Sequence, residues 1–283
     1  MTNLVTLWKN AKSRLETGGI ESPTIDARIL LLKACDITRN EIVTDPYREI
    51  SPQSEEILDK FIERRLKREP VAHIVGKKAF WSLELNSDAR ALVPRPETEV
   101  IVDFILKFDK ENKPTRILDL GTGTGAILLA LLAERSAWSG IGIDISDDAL
   151  SLSNENAKIH GLENRAHFQK GNWAQGIEEE FDIVVSNPPY IPSKDIETLD
   201  IDVKNYDPIL ALDGGEDGLE PYRILFEKLP HILKKGGVFA FEFGINQAKS
   251  IKEMAQKQKE LHEIHILKDL SNIERVIIGT RKP

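Results

Sequence analysis

The sequence predicts an α/β protein: a doubly wound, mostly parallel sheet that ends in an antiparallel hairpin, preceded by a small all-α domain. Three observations carry this. From Pro94 onward, short apolar runs alternate with stretches of helical period, the pattern of a parallel sheet wrapped by helices. The last two apolar runs, near 262–270 and 275–280, are joined by too few residues for a helical crossover, so they must pair antiparallel. The first seventy or so residues show only the helical period.

In chain order, Leu4, Leu7, Trp8, Ala11 and Leu15 share one face of a first helix, which Gly18-Gly19 stops. Pro23 or Thr24 opens a second helix through Ala34, and Ser51-Pro52 opens a third that runs to Arg68. That third helix carries Arg64, Arg65, Lys67 and Arg68, a run that is most simply a solvated face and otherwise a partner contact. Glu69-Pro70 ends the bundle. Residues 80–85 and then 91–93 alternate like the two arms of a β-hairpin. The expected domains are therefore a helical bundle over 1–76, a hairpin linker over 77–93, and an α/β domain over 94–283. Parallel strands are expected near 115–120, 139–144, 166–170, 181–187 and 236–243.

Bulk properties exclude several classes of function. A chain of 283 residues with 41% hydrophobic residues can build a full core, and no apolar stretch is long enough to cross a bilayer. The opening residues are amphipathic and unlike a secretory leader, which places the chain in the cytoplasm as an expectation. Cys35 is the single cysteine, so no internal disulfide can form, and its apolar neighbours suggest a buried position. No Cys/His spacing suits a metal. A formal net charge of −8 speaks against general nucleic-acid binding, although the first eighty residues are slightly basic.

The segment with the most chemistry is Asn187-Pro188-Pro189-Tyr190, directly after the apolar run 181–186. A carboxamide nitrogen is a poor nucleophile because its lone pair is shared with the carbonyl, so an enzyme that alkylates it must hold both N–H groups. The Asn187 side-chain oxygen can accept one and the Pro188 carbonyl the other. Pro189 keeps residue 188 out of the helical region, and Tyr190 offers a flat face to a planar group. The plain alternative is a Pro-Pro turn closing a strand.

Upstream, Asp119-Leu120-Gly121-Thr122-Gly123-Thr124-Gly125 lies between an expected strand and the apolar helix starting at Ala126. Glycines there let backbone approach a ligand and aim helix N–H groups at it. The spacing is G-x-G-x-G, whereas dinucleotide loops have G-x-G-x-x-G, and no Gly-Lys-Ser/Thr follows. What remains is the adenosylmethionine loop of methyltransferases, with Gly121, Thr122, Gly123, Thr124 and Gly125 as cofactor-binding candidates. Asp144 ends the next strand about twenty residues on, where a ribose needs an acceptor. Ser146 is an expected N-cap, with Asp147 and Asp148 structural in the first turn. Asn172 can read an adenine edge and Trp173 can cover its face, although a core Trp serves as well. The loop, Asp144, Asn172 and Asn187 each follow a successive strand, on the rim where open α/β sheets bind ligands.

With these residues in view, the chain resembles bacterial release-factor glutamine methyltransferases, the PrmC/HemK family, over nearly its whole length. Besides the two motifs above, the likeness rests on 70–76, Phe80-Trp81, Val93-Pro94-Arg95-Pro96-Glu97-Thr98-Glu99 and 211–219. Glu242-Phe243-Gly244, Asp269-Leu270 and Glu274-Arg275-Val276 extend it. The resemblance implies a class I, Rossmann-like S-adenosylmethionine methyltransferase fold, to which the closing hairpin belongs. It also implies methylation of the glutamine amide in the Gly-Gly-Gln loop of class I peptide-chain release factors, by a monomer whose helical domain helps hold the partner. Asn187, Pro188 and Tyr190 are then the expected catalytic residues, Asn187 to Tyr190 bind the substrate glutamine, and Asn187 also touches the cofactor. Two departures are visible: Asn172 stands where the family often has Asp, and 271–274 lacks a common Gly. Rival readings are glutamine methylation of a large-subunit ribosomal protein, methylation of an adenine amine in nucleic acid, and a non-catalytic adaptor.

Overall fold

The computed structural model describes residues 2–283. The chain divides into two compact units, Met1–Lys77 with Asp200–Tyr206, and Lys78–Leu199 with Asp207–Pro283.

The first unit is helical: α1 (Leu4–Thr17), α2 (Pro23–Cys35), α3 (Arg39–Thr44), α4 (Pro52–Leu66) and α5 (Val71–Val75). Asn3 caps α1 by accepting from the Thr6 amide at 3.0 Å, and Ser51 caps α4 through the Ser54 amide at 3.1 Å. Leu4, Leu7, Leu15, Leu30, Leu31, Leu58 and Ile62 form its core. Cys35, expected to be buried, is half-buried at the edge of that core because it ends α2. The basic run of α4 is only partly a solvated face. Arg65 is buried between Asp26 and Asp202, each at 2.7 Å, while Arg68 donates to the Gly19 carbonyl at 2.8 Å and Arg64 pairs with Glu69. The excursion 200–206 thus supplies a counterion to this unit, and the Tyr206 hydroxyl adds a bond to the Lys67 carbonyl at 2.9 Å.

The second unit opens with a two-stranded hairpin, β1 (Lys77–Phe80) and β2 (Leu83–Asn86). The expected arm over 91–93 is not a strand. The turn closes early at Trp81-Ser82, where Trp81 takes a φ of 54°, so both arms fit within 77–86. Next come α6 (Glu99–Phe108), β3 (Thr115–Leu120), α7 (Ala126–Glu134), β4 (Trp138–Asp144), α8 (Asp147–Ile159), β5 (Ala166–Lys170) and β6 (Phe181–Ser186). After the excursion, in which α9 (Ile201–Lys204) lies, the chain continues with α10 (Glu220–Ile232), β7 (Leu233–Glu242), α11 (Ala248–Lys257), β8 (Leu261–Lys268) and β9 (Glu274–Arg281).

Strand order in the seven-stranded sheet is β5-β4-β3-β6-β7-β9-β8. β3 to β7 run parallel, and β9 pairs antiparallel with both β7 and β8. The doubly wound sheet with a closing hairpin is the predicted architecture. Its central strands are apolar throughout because both faces are covered: Ile183 and Val185 of β6 face one layer, Val184 the other. The hairpin turn explains the missing family glycine. Asn272 itself adopts φ 63°, which Asn tolerates better than most residues, and Asp269 Oδ1 accepts from the Ser271 and Ile273 amides, both at 2.9 Å.

Candidate active site

Strand order reverses at β3 and β6, and a cavity of about 390 Å³ opens at their carboxyl ends. Its lining is drawn from residues 80–224, all of the second unit. The register keeps the strand tips level, with Leu120 beside both Ile143 and Ser186. The Ser186 hydroxyl locks one pair by donating to the Leu120 carbonyl at 2.6 Å.

The glycine turn runs beside the end of β4. Gly121 and Thr122 amides donate to the Ile143 carbonyl at 2.8 and 3.0 Å. Gly121, Gly123 and Gly125 take φ of 70°, 55° and 80°, a region L residues with side chains seldom adopt. Gly121 to Thr124 line the cavity, whereas Gly125 lies outside the lining. A Cβ on Gly125 would sit 3.0 Å from Leu129 and 3.1 Å from Phe168, so this glycine serves the packing of α7.

Asp144 lines the cavity and braces its wall: Oδ2 accepts from the Gly123 amide at 2.9 Å and Oδ1 from the Ser146 amide at 3.0 Å. Each oxygen keeps a second lone pair for a ligand hydroxyl. Ser146 caps α8 through the Ala149 amide at 3.2 Å, as expected. Asn172 is exposed and Trp173 half-buried, both on the wall, and the Trp173 ring packs beside Gly121. Asp119 is 1% exposed and takes a hydrogen bond from Thr122 Oγ1 at 2.7 Å; burial pushes its carboxyl up to about 7, and the Asp144 charge adds to the shift.

Asn187 and Pro189, after β6, line the same cavity. Pro188 is buried, and neither it nor Tyr190 belongs to the lining. The Tyr190 ring packs on the core close to Gly244, and burial raises its phenol well above the ordinary value. Its backbone is threaded among glycines: a Cβ on Gly214 would lie 2.9 Å from both Pro189 O and Tyr190 Cα. Ile191 pairs with 212–214 through bonds of 3.0 and 2.8 Å. Gln247 donates to the Tyr190 and Gly218 carbonyls at 2.9 and 3.2 Å and accepts from the Gly244 amide at 2.9 Å.

Sequence reasoning gave no role to several residues that the fold brings here. Asn187 Nδ2 donates to Thr98 Oγ1 at 3.0 Å, and Thr98 Oγ1 donates to Glu242 Oε2 at 2.6 Å. Glu242 is 1% exposed, and burial pushes it up to about 7. Arg95 lines the cavity and pairs at 2.7 Å with the buried Asp207, which also accepts from the Val93 amide. Glu99 accepts from the Trp81 amide at 2.8 Å. The Pro-Arg-Pro-Glu-Thr-Glu string is therefore a set of anchors, and its unusual density of Pro and charged residues was the one available signal.

Known proteins agree with this layout. The PrmC N-terminal domain matches residues 6–76, and a methyltransferase domain matches residues 111–278. A protein of Caulobacter vibrioides named release factor glutamine methyltransferase is 48% identical over 281 residues, 99% of this chain and 97% of its own length. One of Rhodospirillum rubrum with the same name is 44% identical over 269 residues, 95% and 82% of the two chains. The crystal structure of a methyltransferase from Pyrococcus furiosus, at 19% identity, has the same fold with a TM-score of 0.54 over 73% of this chain and 92% of that one.

Proposed function

We propose, because the chain belongs to the release factor glutamine methyltransferase family, that it transfers a methyl group from S-adenosylmethionine to the side-chain amide nitrogen of the glutamine in the Gly-Gly-Gln loop of class I release factors. The observation that carries this is a single cavity lined together by the glycine turn, Asp144 and Asn187, at the tips of the neighbouring strands β3, β4 and β6.

The lining fits the donor. Gly121 to Thr124 give a turn whose glycines add no side chain to the wall, Asp144 keeps free lone pairs for ribose hydroxyls, and Asn172 and Trp173 offer an edge acceptor and an aromatic face for a base. Bound S-adenosylmethionine supplies a methyl group on a sulfonium, an electrophile that needs no further activation. In this reading Asn187 Oδ1 accepts one N–H of the substrate carboxamide and the carbonyl of Pro188, a buried residue outside the lining, is assigned the other, which leaves the nitrogen lone pair facing the cavity. The same oxygens favour the positive charge that grows on nitrogen, so no base is required until that charge has formed. Positioning supplies the rate, with effective molarities on the order of 10⁵ M within reach of well-oriented groups. Pro189 and Tyr190 hold this turn, Tyr190 from within the core. The helical unit helps hold the release factor, in the cytoplasm where translation ends. The active form in this reading is a monomer.

The test is incubation with methyl-labelled donor and a purified release factor, followed by peptide mapping. Label on the loop glutamine alone is expected. No label, or label on a ribosomal protein or an adenine in a lysate control but not on that glutamine, refutes the reading.

A further inference from the structure

We propose that the Thr98 hydroxyl and the Glu242 carboxylate are positioning groups that decide which end of the Asn187 amide faces the cavity. This rests on the glutamine-methylation reading and goes one step further, from the residue that holds the substrate to the pair that orients it.

The two ends of a carboxamide have nearly the same shape and opposite hydrogen-bonding character, so Asn187 needs something to tell them apart. Thr98 has one proton. That proton goes to Glu242 Oε2 at 2.6 Å, which leaves Thr98 Oγ1 able only to accept, and it accepts from Asn187 Nδ2 at 3.0 Å. With nitrogen held at that end, Oδ1 is the end left to meet an N–H donor. Glu242 is 1% exposed and lies behind Thr98, which is 4% exposed and borders the cavity, so water has little access to the carboxylate that fixes the Thr98 proton.

Protonation of Glu242 reverses the order. The carboxyl O–H then donates to Thr98 Oγ1, the Thr98 proton turns to Asn187, and Oδ1 becomes the better partner for it. Nδ2 swings toward the substrate, where an NH2 group would meet an NH2 group. One proton is taken up, forming the carboxyl O–H, and no other covalent bond changes. The groups facing Glu242 set where this happens. Burial acts first and upward; Thr98 and the charges of Arg275 and Arg95 oppose it, and Glu97 adds to it. The Tyr190 and Tyr222 phenols are neutral neighbours, and the Tyr222 hydroxyl donates to the Glu242 backbone carbonyl at 2.7 Å. Arg275 is itself bound to Asp269 at 3.0 Å, which tempers its pull. Because the carboxylate form is the productive one, turnover rises with pH as Glu242 loses its proton.

The experiment follows kcat and KM between about pH 5.5 and 9 for wild type, T98S, T98V and E242Q, with purified release factor and labelled donor. Wild-type kcat is expected to climb through an inflection near the Glu242 value of about 7. T98V should lose at least about ten-fold in kcat at high pH with KM nearly unchanged, T98S should recover most of it, and E242Q should be flat with pH. T98V with wild-type kcat, or E242Q with the wild-type inflection, overturns the assignment. A readout without turnover is the side-chain ¹⁵N signal of Asn187 in the ligand-free protein. It should move with pH in wild type and stay still in E242Q, and a signal indifferent to pH in wild type also overturns the assignment. If E242Q does not fold, the T98S and T98V pair decides. A wild type that labels no glutamine would sink the function proposed above while the Asn187 signal still judges the pair.

Discussion

Asn187 is asked to meet two demands with one side chain: its nitrogen belongs to Thr98, and the function proposed above gives its oxygen to the substrate. Asn187→Ala removes the acceptor but buries nothing new, since the residue is only partly covered. Turnover should fall by at least about a thousand-fold, in line with the loss of a group acting on developing charge, while thermal unfolding by circular dichroism stays within a few degrees of wild type. Asp119 makes the opposite prediction, on stability instead of rate. Its folded pKa of about 7 lies above the unfolded value, so the folded state binds the proton more tightly. Its contribution is fully present below the unfolded pKa and is lost as pH rises through about 7. Asp119→Asn can still accept from Thr122, and it cannot ionise. Urea unfolding from about pH 4 to 8 should show the variant gaining on wild type as pH rises, and parallel curves would refute this.

Among elements, the turn carrying Asn187 to Tyr190 is held less by regular pairing than by a clasp in which Gln247 bonds three loops at once. Gln247→Glu keeps the size and replaces two donors with lone pairs aimed at carbonyl oxygens. Each lost bond to a half-buried carbonyl costs about 1 kcal/mol, with repulsion between the carboxylate and the carbonyl oxygens on top. Activity should drop about ten-fold or more, and hydrogen exchange should quicken over 187–191 and 214–218 while β3 and β4 stay protected. Unchanged exchange in those loops would disprove the clasp. The strands themselves were legible because a parallel strand covered on both faces is a continuous apolar run, and 115–120 and 166–170 are bounded as expected. The hairpin over 77–86 was misread because 91–93 has the same alternation. Those residues instead enter the wall of the cavity and its support. The short α3 and α5 are too brief for a period to show, and the one local mark of α3 is its capping box of Thr38 and Glu41.

At the scale of the whole molecule, the site motifs could be read because each is local, a few residues at the tip of one strand. The relation among Asn187, Thr98 and Glu242 could not, since the bonds span 89 and 144 residues and polar pairs at such separation leave no pattern. Nor could the membership of Asp200–Tyr206 in the helical unit, which depends on Arg65 finding Asp202. Arg65→Met should show this dependence: it strands the buried Asp26 carboxylate, at a cost of about 3–5 kcal/mol. Hydrogen exchange should register that loss in α2, α4 and 200–206, leaving the seven-stranded sheet at its wild-type protection. Uniform loss across both units would refute it. A gene cut after Lys77 would encode helices lacking Asp202, one of the two carboxylates that pair with Arg65. Grafting this unit onto another enzyme by end-to-end fusion would therefore deliver an incomplete module, and any recombination that preserves it must carry a piece of the catalytic half along.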